Sequence, residues 1–250
     1  MFITIIIPCY NESSNLRRGV LRDVYKYLSG KMFSWEVLVS DDGSTDDSKD
    51  IVKKEIAKLR GFKLLENPHG GKPAALLSGI REAKGDYILF TDMDQSTPIT
   101  ELEKLLPYVK DNNVVIGSRG MKRENFPLYR KLGAAVFMSI RRFLILPEIK
   151  DTQCGFKLFE SSALKRAFPK LEFFQKNEKV VGWKVTSFDV ELLQILKMMN
   201  KKIKEITVIW IDEDTSNSKG GGLGRYVKES KEMFTQILRV KLNELRGVYK

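Results

Sequence analysis

Histidine occurs once in the 250 residues, at His69, and cysteine twice, at Cys9 and Cys154. One imidazole excludes a multi-histidine metal centre and Ser-His-Asp chemistry, and in its Pro-His-Gly-Gly setting His69 reads as a loop residue. The two cysteines have neither metal-ligand spacing nor the density of a disulfide framework, so a reducing, cytoplasmic setting is expected, with both thiols as small buried hydrophobes. No apolar run reaches the roughly 20 residues that cross a bilayer. The apolar start, Met1 to Pro8, is short and lacks a basic lead, so a buried strand is expected there and not a signal peptide. Acidic side chains are also in deficit, 32 against 43 basic ones, a net charge of +11.

That excess is local. Residues 119–146 hold seven Lys/Arg and one Glu, and residues 218–250 hold eight and three, while the rest of the chain is balanced. Basic charge confined to two segments implies a localised anionic partner: nucleic acid, a lipid headgroup or a phosphorylated substrate.

Strands and helices alternate through the first half. Phe2 to Pro8 and Trp35 to Ser40 read as strands, as do Phe62 to Glu66 and Asp86 to Thr91. Helices are expected over Ser13 to Leu28, from a Ser44 or Thr45 cap (with Asp46 and Asp47 in the first turn) to Leu59, and over Lys72 to Ala83. This order predicts an α/β fold: a mostly parallel sheet flanked by helices, with its ligand crevice at the strand C-termini. Asp41-Asp42 follow a strand, where carboxylates can meet a ribose or a base edge. Gly70-Gly71-Lys72 opens a helix, which suits a diphosphate, although the spacing is not that of a Walker loop. Ile88-Leu89-Phe90-Thr91-Asp92-Met93-Asp94-Gln95 delivers two carboxylates two residues apart. In extended backbone both would point the same way, and two such charges call for a cation such as Mg²⁺ or Mn²⁺ between them.

Four motifs stand in order: Ile6-Ile7-Pro8-Cys9-Tyr10-Asn11-Glu12, Ser40-Asp41-Asp42-Gly43-Ser44, Gly71-Lys72-Pro73-Ala74 and Thr91-Asp92-Met93-Asp94. Together they resemble the signature of family-2 glycosyltransferases of the GT-A (Rossmann-like) fold. The resemblance implies that Pro8, Tyr10, Glu12, Asp41 and Asp42 line the base and ribose and that Lys72 lies near the nucleotide. Asp92 and Asp94, with Gln95 beside them, would serve the metal on the diphosphate. Ser118-Arg119, Arg130 and Asp151-Thr152-Gln153-Cys154-Gly155-Phe156-Lys157-Leu158-Phe159 resemble the polyprenyl-phosphate (dolichyl-phosphate) hexosyltransferases, closer to the glucosyl than to the mannosyl branch. This resemblance implies inverting transfer from a nucleotide sugar, UDP-glucose first and GDP-mannose second. It also implies that Ser118, Arg119 and Arg130 meet the acceptor phosphate, joined by Lys219 or Arg225 from the Gly-rich loop 216–225.

The expected organisation is a glycosyltransferase domain over 1–212, with a nucleotide-sugar half to 117 and an acceptor half after it, then loop and helix over 213–250. On a helical wheel, Arg130, Lys131, Arg141 and Arg142 gather opposite Phe137, Ile140, Phe143 and Leu144. A second basic amphipathic helix is read over Leu223 to Leu245. Such a pattern fits either a domain helix that packs its apolar side on the sheet and solvates its charges, or a helix in a membrane interface, where each basic residue adds about 1 kcal/mol near anionic headgroups. A peripheral protein on the cytoplasmic face of a membrane is therefore expected, and no nucleic-acid partner. A membrane-anchoring subunit has no signal for or against it. The rival enzyme reading is transfer to a sugar hydroxyl, which would need Asp151 or Asp189 as a base. Asp189 and Glu191 would face together only in extended backbone, and would diverge on a helix.

Overall fold

Ile3 to Ile7 expose no surface, because the strand that carries them, β1 (Phe2–Cys9), is covered on both faces. A strand read as a continuous apolar run belongs at the centre of such a sheet. The computed structural model describes residues 1–120, 139, 141–175, 188–211 and 223–249, with backbone alone over 223–233. Around β1 stand β2 (Ser34–Asp41), β3 (Phe62–Glu66), β4 (Tyr87–Phe90), β5 (Val114–Ser118), β6 (Lys157–Glu160) and β7 (Ile203–Thr207), in the order β3-β2-β1-β4-β6-β5-β7. Every pairing is parallel except those of β6, which runs antiparallel between β4 and β5. The reversal matters. Strands β1, β2, β4 and β5 end at one edge of the sheet, and β6 begins there, with Lys157 in register with Phe90.

Helices α1 (Ser13–Arg17), α2 (Val20–Ser29) and α3 (Ser48–Ile56) accompany β1 and β2, and α4 (Lys72–Glu82) lies on the other face. The short α5 (Leu102–Leu105) follows β4. After β6 come α6 (Ser161–Ala167), α7 (Glu172–Gln175), α8 (Phe188–Met198) and α9 (Leu223–Leu245). Two apolar layers sandwich the sheet: one joins Ile6, Leu76, Phe90, Phe159 and Leu192, the other Ile5, Leu16, Val39, Leu89 and Leu102.

Four local expectations change. The helix read over 13–28 breaks at Gly19, whose φ of 87° is left-handed, a conformation that favours glycine. Helix α3 starts at Ser48, not at Ser44 or Thr45, because the Asn11 side chain takes the Thr45 and Asp46 amides and ties that turn to β1. Asp46 then accepts from the Ser48 amide ahead of the helix. Asp92 to Gln95 form a tight turn in place of extended backbone, with Gln95 N–H on the Asp92 carbonyl and Gln95 at φ 52°.

The fourth change concerns the first amphipathic segment, most of which lies outside the described residues. At its described end Arg141 is 1% exposed and donates to the carbonyls of Ile149 and Lys150, whereas Phe143 is 89% exposed. The wheel expected a solvated Arg141, which the structure instead buries; an exposed Phe143 agrees with an apolar face turned outward. Helix α9 buries Ile237 and Val240 and leaves Phe234, Leu238, Leu242 and Leu245 outside. It is latched inward by polar contacts: Arg239 pairs with Glu172 and Glu191, and the Tyr249 hydroxyl donates to Glu191 at 2.9 Å. Among the described residues no helix is long and apolar enough to cross a membrane.

Candidate active site

The C-terminal strand edge gathers the charged residues of the motifs, in a cleft lined by Pro8, Lys72, Phe90, Asp92, Gly155 and Asp189. Asp92 sits at its centre. Its Oδ1 receives the Lys72 ammonium at 2.5 Å, and Lys72 reaches it from the first turn of α4. Behind Asp92 stands Gly155, where a Cβ would lie 2.0 Å from Asp92 Oδ2. Burial alone would raise the Asp92 pKa, but Lys72, with Lys157 and Arg119 farther off, holds it below the usual carboxylate range. Lys72 remains an ammonium for the reciprocal reason: burial opposes its charge, and Asp92, Asp189 and Asp94 outweigh burial.

Asp94 turns its carboxylate onto Ser96, accepting from the amide and the hydroxyl at 2.9 Å each. Gln95 braces the same turn. Its amide nitrogen donates to Thr91 Oγ1 and the Asp92 carbonyl, and its oxygen accepts from the Ile99 amide. Among the described residues no group of three or more His, Cys, Asp or Glu could hold a metal ion. The donor set present, Asp92 with Asp94 in the next turn, suits an ion that takes one or two carboxylates and completes its shell with substrate phosphates.

Asp42 departs from its expected part. It is fully buried, and its two oxygens accept from the Gly70 and Gly71 amides at 2.8 Å each. The amides of Gly70 and Gly71, just ahead of α4, are thus taken by the chain's own carboxylate. His69, expected as a plain loop residue, secures this arrangement: its Nδ1 lies 2.9 Å from Asp42 Oδ2, and its ring stacks on Tyr10 at 4.6 Å. Asp41 Oδ2 accepts from Gly43 and Ser44, while its buried Oδ1 has no hydrogen-bond partner among the described residues. Glu12 accepts from Asn15 at the start of α1. Cys9 and Cys154 are buried free thiols, as expected, and burial pushes the Cys9 thiol up, with Asp41 and Glu12 adding to it.

Of the residues expected to meet the acceptor, Ser118 closes β5 and is buried. Arg119 grips Asp151 in a fork, Nε to Oδ2 at 2.7 Å and a terminal nitrogen to Oδ1 at 2.9 Å. Burial works to raise the Asp151 pKa, but the Arg119 hydrogen bonds and charge bring it down to about 2. Asp151→Asn should cost about 3 kcal/mol at pH 7 in urea unfolding, because it strands a buried guanidinium. The folded pKa lies below the unfolded 3.8, so the pair's contribution is complete above pH 3.8 and fades as pH falls toward 2. The gap between variant and parent should narrow in that window. Arg130 and Lys219 lie outside the described residues, and for Arg225, in the first turn of α9, only the backbone is described.

Lys157 escaped notice in the sequence. It is wholly buried at the head of β6 and bonds the Cys154 carbonyl and, at 2.6 Å, Asp189 Oδ1. The legible signal was a lysine inside the apolar run Phe156 to Phe159. Asp189 and Glu191 do diverge on α8: the first faces Lys157, the second binds the Glu172 amide and Tyr249.

A mostly parallel seven-stranded sheet with an acidic turn after its central strands is the GT-A glycosyltransferase fold. Glucosyl-3-phosphoglycerate synthase from Mycobacterium tuberculosis, solved with Mn²⁺ and UDP-glucose, shares it at a TM-score of 0.61 and 16% identity, over 96% of this chain and 78% of that one. Residues 4–168 match Glycosyl transferase family 2, and the chain belongs to that family of glycosyltransferases. A dolichyl-phosphate β-glucosyltransferase of Trichomonas vaginalis is 32% identical over 239 residues, covering 89% of this chain and 70% of the relative. The Homo sapiens protein of that name is 32% identical over 235 residues, 86% of this chain and 68% of its own length.

Proposed function

We propose that this chain transfers glucose from UDP-glucose to a dolichyl-type polyprenyl phosphate, with Mg²⁺ or Mn²⁺, at a membrane surface and with inversion at the anomeric carbon. The observation that carries the reading is Asp92, held ionised by Lys72 at the strand edge, in a chain 32% identical to a dolichyl-phosphate β-glucosyltransferase. Asp92, with Asp94 beside it, would hold the ion, which supplies Lewis-acid neutralisation of the leaving diphosphate. Lys72 adds a cation for the same phosphates. Tyr10, on its His69 support, offers an aromatic face to the base.

The acceptor side favours a phosphate over a sugar hydroxyl. A hydroxyl nucleophile needs a base. Asp151 is bound by Arg119 and Asp189 by Lys157, so both rival candidates already face cations. A phosphate monoester attacks as an anion and needs orientation only. Arg119 and Arg130 would orient its oxygens, with Lys219 or Arg225 closing over them. The exposed row Phe234, Leu238, Leu242 and Leu245 gives α9 an apolar face for the interface that holds such a lipid.

Incubation with radiolabelled UDP-glucose or GDP-mannose, polyprenyl phosphate and either Mn²⁺ or EDTA tests this. Label should enter the lipid phase from UDP-glucose, and only with metal. Nucleotide binding without lipid label from either donor would point to the hydroxyl-acceptor reaction instead.

A further inference from the structure

Asp92 presents its two oxygens unequally. Oδ2 is backed against Gly155, so closely that a Cβ there would overlap it, and Oδ1 is covered by the Lys72 ammonium at 2.5 Å. The carboxylate is still 40% exposed and Lys72 only 18%, so the lysine approaches from inside the protein while the acid faces the cleft. Both oxygens of Asp94 are engaged by Ser96, and the Gln95 amide by its own turn. A divalent ion arriving at this turn therefore meets a carboxylate that already carries a positive partner. Two cations cannot share one oxygen edge without repulsion, so the lysine and the ion are competitors.

We propose that Lys72 is an exchangeable counter-ion: its ammonium neutralises Asp92 until a divalent cation takes that carboxylate, and then turns onto the donor's diphosphate. The inference rests on the donor and metal reading given above. Lys72 suits the task because it sits at the first position of α4, on a helix that Asp42 anchors through Gly70 and Gly71, so its four-carbon stem can move while its base is fixed. Lys157 does not move in this scheme. It is wholly buried and holds Asp189 and the Cys154 carbonyl.

The exchange separates two affinities that a simple support role would couple. Mn²⁺ binding to the whole chain without nucleotide is followed by the EPR signal of free Mn²⁺, and UDP binding at saturating Mn²⁺ by calorimetry. Lys72→Met should tighten Mn²⁺ about tenfold, the effect of relieving about 1.4 kcal/mol of repulsion, and weaken UDP by a similar factor. Lys72→Arg, which keeps the charge, should leave Mn²⁺ affinity near that of the parent. Thermal unfolding of each variant confirms that the chain is folded. Unchanged or weaker Mn²⁺ binding in Lys72→Met, with Asp92→Asn still abolishing it, overturns the exchange and leaves the donor reading standing. Saturable Mn²⁺ binding that survives Asp92→Asn overturns both, whereas none in any variant overturns the exchange alone, because the ion of the donor reading completes its shell with substrate phosphates.

Discussion

Asp92→Asn should lower glucosyl transfer about a thousandfold, the scale seen when one preorganised electrostatic group is removed from a reacting centre. Asparagine keeps the shape of the turn, so the Gln95 brace and the Asp94–Ser96 contacts survive. What is lost is the negative charge that faces Lys72 and the cleft. The loss should fall on turnover, measured as label transferred in a single-turnover mix, while binding to anionic vesicles stays near that of the parent and the thermal midpoint falls, because the shielded Lys72 ammonium loses its partner. Activity within tenfold of the parent would remove Asp92 from the centre of the reaction.

Gly155→Ala should be nearly as damaging, though residue 155 carries no chemistry. A Cβ at that position lies 2.0 Å from Asp92 Oδ2 and 2.7 Å from Cγ, so the methyl group and the present carboxylate cannot coexist. Either Asp92 swings away from Lys72 or the Cys154–Phe156 backbone backs off. A displacement of about 1 Å at a reacting centre can cost about a hundredfold in rate, and overpacking costs about 1–3 kcal/mol in stability. Because the damage passes through one carboxylate, the Gly155→Ala/Asp92→Asn double variant should be no slower than Asp92→Asn alone. Multiplying losses would show instead that Gly155 acts on something other than Asp92.

The sheet was legible because its strands are plain in the chain: Ile3 to Ile7, Val37 to Val39 and Ile88 to Phe90 are buried on both faces, so nearly every position is apolar. The acidic turn was legible for the opposite reason, as charge placed straight after such a run. What failed was decided by tertiary competition. Asp42 reads as a ligand-facing acid until α4 packs beside β2 and offers it two amides. Arg141 reads as a solvated charge, but the carbonyls of Ile149 and Lys150 fold back around it, and Phe143 is turned out. The parts played by Lys157 and His69 were not legible because their partners, Asp189 and Asp42, lie 32 and 27 residues away. No local periodicity reports pairings of that kind.

The single antiparallel strand has a bearing on how such an enzyme can diversify. Ser118 ends β5 and Lys157 begins β6 on the same rim, so residues 119–156 leave and re-enter the sheet beside the reacting carboxylate. A segment anchored like this can be lengthened, shortened or exchanged between relatives without disturbing β1 to β4, provided its last residues, Cys154 to Phe156, are kept, because Gly155 backs Asp92 and the Cys154 carbonyl holds Lys157. Chimeras cut after Ser118 and before Cys154 are thus the natural units for exchanging this segment while the Asp92 turn and its Gly155 backing stay unchanged.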